Sequence, residues 1–161
     1  MIVDSLYLPA FRESLDLLGR ATGNLRFTLE RVSRFLPLDA ATVQALAPEA
    51  LERLDALEIR FARCQQMAGQ AFKALALLES EPQSRFIDLL ALMQKRGLIE
   101  SIATWDAQRD LRNDIGHVYL PNHADFARFH NALAEAAPGV AAYAGRLAAY
   151  AAKVGACGLS A

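Results

Sequence analysis

The side chains best suited to chemistry lie close together, in the stretch from Trp105 to Tyr119 (WDAQRDLRNDIGHVY). Arg112 offers a planar, permanently charged fork that matches phosphate oxygens. His117 carries an imidazole able to move a proton near neutral pH. Asn113 offers a carboxamide that can hold one ring nitrogen of a histidine in a fixed tautomer, and Tyr119 adds a phenol. A cation, a proton carrier and an orienting amide at this spacing point to phosphate chemistry.

The element that must position them reads as a helix from about Leu98 to Tyr119, of which this stretch forms the last four turns. Pro121 is the stop signal, since proline disfavours the α conformation in the residue before it and has no N–H to donate. At ~100° per residue, Asn113 and His117, four apart, share one ridge. Arg112 and Tyr119, seven apart, fall on a neighbouring one, with Gly116 leaving a gap between them. A glycine costs about 1 kcal/mol in a helix interior, so Gly116 is the one residue here at odds with the helical reading.

The rest of the chain repeats the helical period. A first helix is expected from near Pro9 to about Phe35, carrying Leu15, Leu18, Leu25, Leu29 and Val32 at helical steps, with Gly23 and Asn24 able to bend it. A connector follows, with Asp39 as a cap. A second long helix is expected from Pro48 to about Leu78, its apolar stripe running from Leu51 to Leu75 and its other face carrying Glu52, Arg53, Glu58, Arg60 and Arg63. A third spans about Pro82 to Lys95, ended by Gly97. A fifth begins after Asn122, is interrupted at Pro138-Gly139, and continues as an alanine-rich stretch to about Val154, leaving residues 155–161 as a frayed tail. No strand-like alternation competes. The expected fold is all-α: a single-domain antiparallel, up-and-down bundle of four to five main helices over residues 1–161.

Composition narrows the function classes. With 53% hydrophobic and 22% charged residues in 161, the chain is globular and sized for one domain. A net charge of −1 gives no bulk attraction for nucleic acid or anionic membrane, so any RNA contact must come from a local patch. Two cysteines, Cys64 and Cys157, with Cys64 on an apolar stripe, argue against a disulfide framework. Neither a signal peptide nor a membrane span is expected, and the protein reads as cytoplasmic.

The run Arg112-Asn113-Asp114-Ile115-Gly116-His117-Val118-Tyr119 resembles the R-x4-H-x-Y motif of HEPN-domain proteins, and within them the HepT-like toxins. That resemblance implies a metal-independent endoribonuclease, the toxin of a bacterial toxin–antitoxin pair. It implies a homodimer whose motif helices face each other, with Arg112, His117 and Asn113 catalytic and RNA as substrate. It further implies a minimal nucleotidyltransferase antitoxin that silences the toxin by attaching AMP to Tyr119. No cofactor and no metal are implied. The reading from a different class is a non-catalytic helical module that binds a nucleotide or docks a nucleotidyltransferase.

Plainer roles exist for each residue. His117 at a helix C-terminus balances the dipole, Arg112 can pair with Asp106 or Asp110, and Tyr119 can cap a bundle end with its hydroxyl wet. Trp105 is expected in the core, and Tyr143 and Tyr150 in close helix packing. His123 and His130, seven apart, lack the further ligands a metal site needs.

Overall fold

In the computed structural model, which describes residues 4–118 and 121–155, those residues form a short 3-10 turn and six α-helices: α1 (Leu8–Val32), α2 (Ala40–Gln44), α3 (Pro48–Leu78), α4 (Phe86–Lys95), α5 (Ile102–Asp114) and α6 (His123–Lys153). Five of these have ten or more residues, and no strand occurs among the described residues, so the chain is all-α. The three long helices α1, α3 and α6 make the core. Their apolar stripes meet through Leu18, Leu25, Leu54, Phe61, Phe72, Leu133 and Leu147, all at or near zero exposure.

Paired contacts fix the directions. Asp4 N–H donates to Leu78 O at 2.8 Å, Thr22 Oγ1 lies 3.5 Å from Cys64 Sγ, and Arg60 Nη1 donates to Asn24 O at 3.3 Å, so α1 and α3 run antiparallel. Arg26 reaches Ala141 O at 3.5 Å, and the Asn131 amide brackets the backbone of Leu38 with two 2.8 Å bonds, so α1 and α6 are antiparallel as well. Burial of the Cys64 thiol between these helices pushes its pKa up, leaving it an inert core group.

The helix ends follow local chemistry. Asp39 caps α2 through a capping box with Thr42, whose N–H and hydroxyl hold the carboxyl below its usual pKa. Pro48 opens α3 at its first turn, and α3 spans the expected residues. Gly97, at φ +73°, ends α4 with the paired bonds Leu98 N–H to Met93 O and Gly97 N–H to Gln94 O. Ser80, at φ +57°, ends α3 in the same way although it is not a glycine.

Four boundaries differ from expectation. The first helix stops at Val32, three residues short of Phe35. Helix α4 starts at Phe86, where the Arg85–Asp88 pair (2.7 Å) closes the first turn, and Pro82 stays outside. Helix α6 is continuous through Pro138, not interrupted there. Leu133, Ala137, Val140 and Ala141 bury one face across that point, and this burial outweighs the one backbone bond proline removes. The fourth difference concerns α5, shorter at both ends than Leu98–Tyr119, and it reshapes the site.

No helix of the described residues is long and apolar enough to cross a membrane. Of the expected frayed tail, Gly155 closes the described chain at φ +75°, while 156–161, with Cys157, lie outside it.

Candidate functional site

Ser101 starts α5, its hydroxyl accepting from Thr104 N–H at 3.0 Å, while Gln94 Oε1 takes the orphan Ile102 N–H at 3.1 Å. The helix then ends at Asp114, not at Tyr119. Ile115 turns extended (φ −57°, ψ 129°), Gly116 is left-handed (φ +83°), and His117 N–H donates back to Asp114 O at 3.0 Å. These are the features of a type II β-turn, whose third position needs positive φ and therefore favours glycine. Gly116 is not a weak point inside a helix. It is the residue that ends one, and Pro121 plays no part in stopping α5.

His117 is therefore not on the Asn113 ridge, yet the two residues still meet. The turn folds the imidazole back so that Nδ1 lies 3.0 Å from the backbone oxygen of Asn113. A carbonyl can only accept, so Nδ1 carries the hydrogen and, in the neutral ring, Nε2 is left as the acceptor. The tautomer is set by the Asn113 backbone, not by its side chain. That side chain instead accepts from Arg112 Nη2 at 3.4 Å. Arg112, Asn113 and His117 are thus linked through Asn113 at the exposed end of α5. Tyr119 lies outside the described residues.

The two ends of this link face different hollows. Arg112 lines a cleft between α3 and α5 of about 350 Å³, with Gln65, Gly69, Lys73, Trp105 and Arg109. His117 lines a hollow of about 460 Å³ between the turn and the start of α6, with Asp114, Asn122, Asp125 and Arg128. There Asn122 caps α6 by accepting from Asp125 N–H at 3.2 Å, and Arg128 pairs with Asp125. His123 opens that helix and the cap itself is Asn122.

The expected ion pair of Arg112 with Asp106 or Asp110 does not form. Arg109 takes both carboxylates, at 3.1 and 3.9 Å. Among the described residues Arg112 has no carboxylate partner. Trp105 is in the core, 2% exposed, packed against Phe72, Tyr143 and Phe86 with ring centroids 5.4–6.0 Å apart. Tyr143 donates to Gln108 Oε1 at 2.6 Å, and burial pushes its hydroxyl up to about 12. Tyr150 donates to the buried Glu79, which Arg96 also holds at 3.2 Å. Burial and then the Glu79 carboxylate push the Tyr150 hydroxyl up to about 12.

His130 is fully buried. Its Nδ1 donates to Phe126 O at 2.9 Å, and its Nε2 lies 2.9 Å from Glu58 Oε1 without a hydrogen bond to it. No group of three or more potential metal ligands gathers among the described residues.

Sequence reading missed Gln65, Gly69 and Lys73. Gln65 had a signal: it stands four residues after Phe61 and next to Cys64, a polar side chain inside the apolar stripe of α3. No family model, no curated protein and no solved structure matches the chain.

Proposed function

We propose that this chain is a HEPN-type, metal-independent endoribonuclease acting as the toxin of a bacterial toxin–antitoxin pair in the cytoplasm. The observation that supports the reading is the Asn113-centred link, which holds a guanidinium with no carboxylate partner among the described residues and an imidazole fixed through Nδ1 at one exposed helix end. In the proposed reaction an RNA 2′-oxygen attacks the adjacent phosphorus and loses its proton to His117 Nε2. The bond to the 5′-oxygen breaks, that oxygen takes a proton from a second copy's imidazole, and a cyclic phosphate remains. Such proton transfer contributes ~10²–10⁴ in rate. Arg112 holds the non-bridging oxygens as charge develops on them.

A homodimer is part of the proposal. Because Arg112 and His117 face different hollows within one protomer, the arginine of one copy must meet the histidine of the other across a two-fold axis. His117→Ala is expected to lose RNA cleavage and growth inhibition while staying folded and dimeric. Cleavage at the parental rate by that variant would end the nuclease reading.

Tyr119 is the proposed acceptor of AMP from a nucleotidyltransferase antitoxin. The phenol oxygen attacks the α-phosphorus of ATP, pyrophosphate leaves, and the added negative charge competes with RNA for Arg112. Intact mass after incubation with that partner and ATP should rise by whole AMP increments on the parent and not on Tyr119→Phe.

The separate hollows also favour a second reading, a non-catalytic module that docks such a transferase. A docking module is harmless when expressed alone and co-purifies with its partner. A toxin stops growth when expressed alone, and Arg112→Ala relieves it.

A further inference from the structure

A second cleft, between the C-terminal end of α3 and the start of α4, has apolar walls and a single charge. It encloses about 380 Å³, within the range that takes one small molecule. Lys73 and Leu77 of α3, Pro82 of the connector, and Phe86 and Leu89 of α4 line it. Leu89 is 3% exposed and Leu77 37% exposed, so the lining runs from open surface to core.

The connector that forms one wall is pinned. Glu81 N–H donates to Ala76 O at 2.8 Å, and Arg96 holds Glu79 at 3.2 Å and Glu81 at 2.6 Å. Arg85 pairs with Asp88 at 2.7 Å. Every charged side chain of residues 79–85 is therefore spent on an internal ion pair. Lys73 is the contrast. It is the only charged residue in the lining, and among the described residues no carboxylate lies within ion-pair distance of it. Its Nζ stands 5.7 Å from the centroid of the Phe86 ring, which places the ammonium at the wall of the cleft.

We infer that this cleft binds a small amphipathic monocarboxylate, its alkyl body against Leu77, Pro82, Phe86 and Leu89 and its carboxylate on Lys73. Apolar walls select the body by the area they remove from water. One ammonium, with no second cation in the lining, matches a single negative charge better than a dianion such as a phosphate monoester. The assignment uses none of Arg112, Asn113 and His117.

The test is calorimetric titration of the full-length protein with straight-chain alkanoates from butanoate to dodecanoate, each below its micelle concentration, and with the alcohol of each length. Affinity should rise about fourfold per methylene, then stop rising once the chain outgrows the cleft. Each alcohol should bind severalfold more weakly than its acid, the size of one exposed ion pair. Lys73→Met keeps the apolar stem on Phe86 and removes the charge, so acid and alcohol should bind it equally. Leu77→Asp, at a partly exposed position, puts a carboxylate in the lining and should weaken the acid tenfold or more. Should that variant fail to fold, Lys73→Met still decides.

Four results overturn the inference: no saturable binding by any alkanoate, alcohols binding the parent as tightly as acids, parental acid affinity in Lys73→Met, or a rise with chain length that never levels off and survives in Leu77→Asp, which is adsorption. Tighter binding of N-acetyl-leucylleucine than of the best alkanoate would reassign the cleft to a partner protein's C-terminus and overturn it as well. The readout needs no RNA cleavage, so this inference and the nuclease reading fail separately.

Discussion

Helices α3 and α5 are neighbours with opposite economies of burial. Of the 31 residues of α3, those from Leu54 to Leu78 bury a continuous stripe, and that stripe fixes its place against α1 and α6. Helix α5 has 13 residues and buries only two side chains, Trp105 and Gln108. Its buried anchors are one ring, which meets Phe72, Phe86 and Tyr143, and one amide, which meets Tyr143, with Ile102 and Leu111 half-buried beside them. Segments with few buried contacts are drawn from the low-stability end of a fold and leave their remaining side chains uncommitted. Arg112 and Asn113 at its exposed end, and His117 just beyond it, bond only to one another among the described residues.

The comparison is broken most forcefully by emptying each helix of its main anchor. Phe61→Ala on α3 is expected to cost about 3–5 kcal/mol of global stability, because the ring is wholly buried in the core. Trp105→Ala removes a larger ring, yet its cost should be capped by the undocking of α5. Hydrogen exchange separates the two outcomes. With Phe61→Ala, protection should fall throughout α1, α3 and α6. With Trp105→Ala it should fall in α5 while the three long helices keep theirs. Uniform loss in both variants would mean that α5 is as integral to the core as α3.

The same contrast sets what could be read from the sequence. The limits of α3 were legible because proline opens it and its apolar stripe runs unbroken to Leu78. The cap at Asp39 and the stop at Gly97 were legible because those residue types act locally. The end of α5 was not, because its polar C-terminal half satisfies the helical period as well as any other pattern, and only Gly116 spoke against it. Pro138 misled in the other direction, since its local penalty is visible in sequence while the long-range burial that overrides it is not. The neighbourhood of Arg112 and His117 was legible as a spacing. That they line different hollows was not, since this depends on where the bundle packs.

A smaller effect tests the junction itself. Tyr143 on α6 meets α5 through Gln108, and burial holds its hydroxyl at about 12 against an ordinary 10.0. Above pH 10 the unfolded chain sheds this proton while the folded chain keeps it, so stability falls as pH rises from 10 through 12. The gap corresponds to the order of 2–3 kcal/mol. Tyr150 titrates in the same window, so Tyr143→Phe should flatten the alkaline fall in thermal midpoint only in part. Equal slopes for parent and variant between pH 10 and 12 would show that the α5–α6 contact opens before the tyrosine ionises.

The smallest effect falls on the turn. A Cβ at Gly116 would touch nothing within 4 Å, so replacing it carries no steric clash and only the conformational penalty of φ +83°. For Gly116→Ala that is about 1–2 kcal/mol, and it falls on the turn because so little of the core depends on it. Alanine also favours helix over glycine by about 1 kcal/mol, so the variant should lengthen α5 toward the register that the sequence periodicity implies and pull His117 Nδ1 off the Asn113 carbonyl. The thermal midpoint should stay near the parent's while any His117-dependent RNA cleavage drops severalfold. Asparagine tolerates the left-handed region, so Gly116→Asn should restore most of that loss. If alanine and asparagine both leave cleavage at the parental level, the turn does not position the imidazole, and the weakly anchored end of α5 has no part in placing the chemistry.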